Sequence, residues 1–286
     1  MRNAGVLAVD HISVGLVVDG RLSGAVQTFP DSEETDSLRE LPAEAIAECI
    51  RWQVELAAGG PVDVVGVGVP GIIRDGVIED APNLAQLKGL NLRTALEAIM
   101  PSSRVVVVND ADAIAAGIAS TRGELGRLVR VWTLGIGVGY GRYPRSEGVW
   151  EGGHSVVTLD PKEQYCGCGG AGHLEGIMGH RAMRLRFLDL EPEEIFDEAR
   201  EGDERCRQFV KMWHRALAAA TATSIHLDGP GRFYITGANA RHIDSLLLNL
   251  YLHEMVKLSS LQGSFCEVMP TSDEIAVLGA AVCAEG

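Results

Sequence analysis

Two cysteines one residue apart, Cys166 and Cys168, stand between His154 and His173 in a glycine-rich stretch running from Glu147 to Glu175. Cysteines this close do not readily bridge to each other, but both can turn a sulfur toward one ion. A histidine before them and a histidine after them complete four nitrogen and sulfur donors, the tetrahedral set that zinc prefers. Gly167, Gly169, Gly170 and Gly172 let the backbone close tightly around such an ion. With all four positions filled by protein, the metal is structural and does not activate a water. Glu151 and Glu175 flank the donors and are close enough in the chain to share a site with them. A glycine-rich turn with two incidental thiols is the competing reading, but ligand spacing of this kind rarely arises by chance.

A second constellation is Asn109-Asp110, at the end of the apolar run Arg104–Val108 and before the small-residue segment Ala111–Ser120. Ligands bind beside the carboxyl ends of buried strands, so Asp110 is a candidate general base. Both residue types are also favoured helix N-caps, and the local pattern does not separate the two roles. A third is the run Gly135-Ile-Gly137-Val-Gly139-Tyr-Gly141, whose amides are suited to face phosphates. The match to G-x-G-x-x-G at Gly66–Gly71 is set aside. That fingerprint must open a helix, and Ile72–Ile78 reads as a hairpin around Asp75-Gly76. No G-x-x-x-x-G-K-[ST] sequence occurs.

The elements that must position these groups follow from apolar periodicity and turn residues. Strands are expected at Val6–Asp10, Val14–Val18 and, after an Asp19-Gly20 turn, Arg21–Thr28. Phe29–Arg39 reads as a polar loop. A helix from about Pro42 carries Ile46, Ile50 and Val54 on one face and stops at Gly59-Gly60-Pro61. Strands are expected at Val62–Val69, Arg104–Val108, Arg130–Leu134, Arg232–Ile235 and Cys266–Met269, and a short helix capped by Asn91. Helical patterns fill Leu174–His226, about Ala240–Leu258 and about Glu274–Cys283.

A chain of 286 residues with 46% hydrophobic and 22% charged residues can bury a large core, in two domains. Its net charge of −14 argues against a nucleic-acid surface. No secretory signal and no membrane-length apolar run are present. Cys49, Cys206, Cys266 and Cys283 are scattered and read as buried thiols rather than disulfides. Those features fit a cytoplasmic protein.

Glu-Gly-Gly-His at 151–154, followed by Cys-x-Cys-Gly-x-x-Gly-x-x-Glu at 166–175, resembles the zinc signature of the ROK family of repressors and sugar kinases, with His173 where the family usually has a third Cys. The resemblance covers essentially the whole chain. It implies an α/β, two-domain actin-like ATPase (ribonuclease H-like) fold: residues 1–112 with a returning C-terminal helix at about 272–286, and a larger domain at 113–271 with the zinc site. It implies ATP-dependent phosphorylation of a hexose or N-acetylhexosamine held between the domains. Asp110, in a stretch resembling Asn-Asp-Ala-Asn-Ala, would take the hydroxyl proton; Asn109, Asn83, Glu151, His154 and Glu175 would grip the sugar. Asp10 would face Mg²⁺ through water, and Gly135, Gly137, Gly139 and Gly237 would line the nucleotide. The cofactors implied are structural Zn²⁺, bound by His154, Cys166, Cys168 and His173, and Mg²⁺ with ATP. A homodimer or homotetramer, with no nucleic-acid or membrane partner, is expected. The family's repressors carry a DNA-binding segment for which the first strand here leaves no room.

The chain departs from the family at its start. Where ROK kinases read Asp-Ile-Gly-Gly-Thr-Lys, it reads Asp10-His11-Ile12-Ser13-Val14, about three residues shorter. Ile136 replaces a usual Thr, and Ala238 a usual Gly. The alternative is therefore a sugar-binding relative that transfers phosphate weakly or not at all, as a sensor or partner subunit. The retained Asp10, Asn109 and Asp110 favour the kinase, because a pure binder needs no base. A zinc hydrolase is disfavoured by the closed metal set.

Overall fold

The computed structural model describes residues 2–29, 38–146, 148 and 151–285. The expected polar loop after Phe29 falls mostly on residues 30–37, and the start of the metal stretch on 147, 149 and 150; these lie outside the described residues. The chain divides into two compact units. The first is Met1–Val129, Gly141–Val149 and Ser272–Gly286; the second is Arg130–Tyr140 and Trp150–Thr271.

The first unit opens with β1 (Asn3–Ala8) and β2 (Ile12–Val18), antiparallel with Ala8 opposite Ile12. Asp19 and Gly20 both take positive φ, as a two-residue hairpin requires, and turn the chain into β3 (Arg21–Leu22). The expected strand Arg21–Thr28 is broken: Gly24 has φ +100°, and the chain resumes as β4 (Gln27–Phe29), which also pairs with β2. Helix α1 (Ala43–Ala58) starts at Pro42 and stops at Gly59, whose φ of +61° suits glycine. β5 (Val64–Val69) is buried throughout and runs parallel to β1. The hairpin β6 (Ile72–Arg74) and β7 (Val77–Asp80) turns at Asp75-Gly76. Asn91 caps α2 (Leu92–Ile99) by accepting from Thr94 N–H. β8 (Arg104–Asn109) lies parallel to β5 and feeds α3 (Asp110–Thr121). The sheet order is β3-β2-β1-β5-β8.

The second unit holds most of β9 (Val129–Leu134) and the first half of β10 (Val138–Tyr143), which precede the metal stretch. Four helices follow: α4 (Glu175–Met178), α5 (His180–Arg186), α6 (Pro192–Glu201) and α7 (Glu204–Asp228). After β11 (Arg232–Thr236), the single helix expected from Ala240 to Leu258 is two pieces. A 3₁₀ turn, Ala238–His242, comes first, and α8 (Ser245–Met255) begins at Asp244, whose carboxylate caps Leu246 and Leu247. β12 (Phe265–Val268) completes a sheet ordered β10-β9-β11-β12. Its core gathers Trp132, Phe196, Phe209, Trp213 and Phe233.

The last helix, α9 (Asp273–Glu285), belongs to the first unit. It lies so close to the sheet that a Cβ on Gly5 would come 1.8 Å from Val277 O, and one on Gly66 would come 1.9 Å from Ala280 O. Gly117 meets Ile275 O and Gly279 meets Ala113 O in the same way, so α3 and α9 pack backbone on backbone. Asp112, where the sequence places the passage between domains, therefore lies inside the first unit. Gly66→Ala must push a helix off a sheet with no flexible side chain to yield. It is expected to cost about 3 kcal/mol, the upper end of overpacking penalties, in urea denaturation. Gly126→Ala, with open space around it, is the near-neutral control.

Candidate functional site

The metal stretch is tied into a compact knot before any ion is considered. Val157 N–H donates to Gly172 O at 2.8 Å, Leu174 N–H to Ser155 O at 2.9 Å, and Gly172 N–H to Glu163 O at 2.6 Å. Gly172 takes φ +70°, and a Cβ there would meet Thr158 O at 2.0 Å, so glycine is required. Arg186 of α5, which sequence reasoning missed, clamps Glu163 with two hydrogen bonds of 3.0 and 2.5 Å and lies 4.4 Å over the Tyr165 ring. Its only sequence signal was a basic residue in a helix.

The knot brings His154, Cys166, Cys168 and His173 together, with one donor atom from each lying within 4.8 Å of the others. The sulfurs are 3.3 Å apart, and Cys168 Sγ is 3.2 Å from His173 Nδ1. Metal bonds of about 2.0–2.3 Å span such a set, so the residues fit a tetrahedral ion. Their chemistry points the same way. Burial, with the adjacent Cys168 and Glu175, pushes the Cys166 thiol up to about 12, and a bound cation supplies the charge that lets such a thiol ionise. Glu151 Oε2 stands 3.4 Å from His154 Nδ1. Glu175 lies on the other side, with Oε1 3.6 Å from Cys166 Sγ.

Within the same unit two glycine turns meet. Gly135–Gly137 follows β9 and Gly237 follows β11, its neighbour in the sheet. Gly237 has φ +98° and lies against β9, where a Cβ would come 2.4 Å from Leu134 O. The buried Asn239 donates through Nδ2 to Gly135 O at 3.2 Å. The glycine run is not all loop. Gly139 sits in β10, Gly135 N–H donates to Gly137 O, and Val138 N–H donates to Glu175 Oε2 at 3.0 Å. The amides of Gly135 and Val138 are thus engaged within the protein.

In the first unit Asn109 ends β8 as the N-cap of α3. Its Oδ1 accepts from Ala111 N–H at 2.9 Å and its Nδ2 donates to Gly71 O at 2.9 Å. Asn109 thus both caps α3 and anchors to Gly71, and Asp110 follows it in the first turn, half-buried at the carboxyl end of β8. Asp112, two residues on in the same turn, accepts from Arg142 N–H at 2.9 Å. Burial raises its pKa, against the pull of that amide and of Arg145 and Arg142. Asn83 is exposed between β7 and a 3₁₀ turn at Ala85–Leu87.

The turn between β1 and β2 is only Val9-Asp10-His11. Asp10 is exposed and pairs with Arg39 at 2.9 Å. His11 Nε2 lies 2.6 Å from Asp273 Oδ2, which also accepts from Ser13 Oγ at 2.6 Å. The Asp273 hydrogen bond raises the His11 pKa against burial, and the same bond lowers that of Asp273. A raised histidine adds stability fully below its unfolded value near 6.5 and loses it as pH rises through the folded value. The lowered Asp273 adds stability above its unfolded value and loses it as pH falls through the folded one. The wild-type advantage in Tm over His11→Gln is therefore expected to be larger at pH 6 than at pH 9. A gap that does not change with pH would mean that the pair is not formed.

The model of the ROK family matches residues 10–286. The chain belongs to the ROK family. It is 30% identical to a glucokinase of Pyrobaculum calidifontis over 246 residues, covering 80% of this chain and 81% of that protein. A glucokinase of Thermotoga maritima is 29% identical, with 94% and 92% covered. The crystal structure of a ROK hexokinase from Thermus thermophilus superposes with a TM-score of 0.80 at 25% identity, covering 100% of this chain and 98% of that one. This ROK chain has the α/β fold of the actin-like ATPases. Among the described residues no helix is long and apolar enough to cross a membrane.

Proposed function

We propose that this chain is a sugar kinase that transfers the terminal phosphoryl group of Mg-ATP to a hydroxyl of a hexose or N-acetylhexosamine. The observation that carries this reading is Asp110 at the carboxyl end of β8, with its backbone fixed by the two Asn109 hydrogen bonds, in a ROK chain whose curated relatives include glucokinases. Asp110 accepts the hydroxyl proton as the oxygen attacks phosphorus, and orientation is most of what it contributes. Asn83, Asn109, Glu151, His154 and Glu175 hold the remaining hydroxyls: carboxylates accept, and asparagine both donates and accepts. Asp10 faces Mg²⁺ through water. Gly135, Gly137, Gly139 and Gly237 allow close approach of the nucleotide. His154, Cys166, Cys168 and His173 hold Zn²⁺, which keeps the sugar-facing Glu151 and His154 in register. The functional protein is a homodimer or homotetramer.

One observation favours a weaker second reading. The short β1–β2 turn is occupied by the His11–Asp273 and Asp10–Arg39 pairs, where ROK kinases are expected to have a glycine-rich turn. A tight turn of side-chain-bearing residues cannot approach a polyphosphate as glycine can. ADP release by zinc-loaded protein with Mg-ATP, across a panel of hexoses and N-acetylhexosamines, separates the two. Sugar-dependent release supports the kinase. No release, from protein that still gains thermal stability with a sugar, supports a sugar-binding relative.

A further inference from the structure

Val138, the first residue of β10, is held from two sides by the metal stretch. Its N–H donates to Glu175 Oε2 at 3.0 Å. Its carbonyl presses on Gly153, where a Cβ would come within 2.0 Å of Val138 O. Gly153 adjoins His154, one of the four metal donors. Glu175 touches a second donor, with Oε1 3.6 Å from Cys166 Sγ. The same carboxylate fills the space of a missing side chain on the glycine turn: a Cβ on Gly137 would stand 2.5 Å from Glu175 Oε2. Gly137 does not take positive φ, so what requires glycine there is the carboxylate lying against it. Residues just beyond Glu175 add to the grip, since His180 N–H donates to Gly135 O and Ile136 O at 3.2 and 3.0 Å.

We propose that Glu175 is a positioning residue that couples the four-donor cluster to the Gly135–Gly137 turn, so that metal in the cluster fixes the loop that a nucleotide polyphosphate would meet. The polyphosphate rests on the kinase reading; the coupling itself does not. One carboxylate bridges the two places, one oxygen toward the Cys166 sulfur and the other on the Val138 amide. A change at the sulfur that turns the carboxylate therefore disturbs the amide. A metal held by the four donors fixes the Cys166 sulfur, and with it the face against which Oε1 rests, so that Oε2 stays on the Val138 amide. Glycine spacing alone does not reveal this, because a phosphate loop accounts for Gly137 without any reference to Glu175.

Amide hydrogen exchange across residues 134–140, in zinc-loaded and chelator-treated protein, tests the coupling without any nucleotide. The Val138 amide is expected to exchange about tenfold or more faster once zinc is removed, the weight of a hydrogen bond to a charged acceptor. In Glu175→Ala it should exchange fast with zinc present or absent, while zinc stoichiometry stays at the wild-type value, because Glu175 is not among the four donors. Glu175→Gln, which keeps a neutral acceptor, should recover part of the protection. Gly137→Ala, which displaces the carboxylate from the loop side, should uncouple with Glu175 intact and guards against a Glu175→Ala protein that does not fold. Protection of Val138 that is the same with and without zinc in the wild type would overturn the proposal. Binding of a non-hydrolysable ATP analogue is then measured in both states. Weaker binding without zinc, abolished as a difference in Gly137→Ala, extends the coupling to the nucleotide. Zinc-dependent protection in protein that binds no analogue would uphold the coupling and reject the kinase reading.

Discussion

Asp110→Asn is expected to lower kcat by about 10²–10⁴-fold, the usual weight of a positioned general base, with little change in fold or in sugar affinity. The isostere removes the proton acceptor and keeps the volume. The cap of α3 is Asn109, whose side chain already satisfies Ala111 N–H, so the helix start survives. The substitution also removes one acidic charge from the first turn, worth about 0.3–1 kcal/mol with the helix dipole. Two neighbours whose side chains hold the backbone give the comparison. Asp112→Asn touches the Arg142 amide contact, and its effect should appear as stability. Asn109→Ala removes a cap and the Gly71 anchor together; it should cost about 1–2 kcal/mol and raise KM as well as lower kcat, because the proposed sugar contact is lost and the backbone carrying Asp110 is released. Steady-state kinetics on the preferred sugar, beside thermal unfolding of each variant, reads all three. An Asp110→Asn protein with wild-type kcat would remove Asp110 from the chemistry.

The parts of this molecule that could be read in advance are those whose cause is local. Four metal donors within twenty residues announce themselves because an ion imposes spacing on the chain nearby. Asn91 and Asn109 announce helix starts for the same reason, each satisfying an amide two or three residues on. Asp75-Gly76 and Asp19-Gly20 mark hairpins because the turn itself demands positive φ. The places where the pattern misled are also local in origin. Asp244 is a helix cap, and the leucine-rich helical pattern that follows it was extended back to Ala240 across it. Gly24 breaks a strand that composition would have carried through.

What stayed out of reach depends on residues far apart in the chain. His11 meets Asp273 across 262 positions. Gly5 and Gly66 are small because α9 lies on them, although Gly66 sits in a run of valines that reads only as a buried strand and Gly5 just ahead of the strand expected at Val6. Gly139 was counted with a loop and lies in β10, because glycine spacing alone does not say where a strand resumes. Glu175 was legible as a neighbour of the metal but not as a partner of Val138, since nothing in 166–175 points to residue 138. The pattern revealed which groups gather, and the topology decided what each one holds.

Removal of the metal is expected to produce the largest change in stability. The loop Ser155–Leu174 has few apolar anchors of its own: Leu159 is 93% exposed and Val156 57% exposed. Its order comes from the knot of backbone hydrogen bonds, the Arg186 clamp and the four donors. With free zinc at about a thousand times Kd, binding stabilises the folded state by about 4 kcal/mol. For a chain of this size that corresponds to about 8–16 °C in Tm. A chelator should therefore lower Tm by that order, and zinc should restore it, while magnesium at the same concentration should not, because thiolate and imidazole donors select against hard cations. Cys166→Ser with Cys168→Ser should bring bound zinc from one per chain to none and lose the chelator response altogether. His173→Cys is the informative companion. Both side chains are good zinc ligands, so it should retain stoichiometric zinc, with altered affinity and a pH dependence that follows thiol rather than imidazole ionisation. Zinc per chain by atomic emission, beside calorimetry with and without chelator, decides the matter. A wild-type protein that carries no metal after purification and reconstitution, or whose Tm ignores the chelator, would leave these four residues as a hydrogen-bonded turn. Glu151 and His154 would then owe their places to the 3₁₀ turn at Gly152–His154 alone.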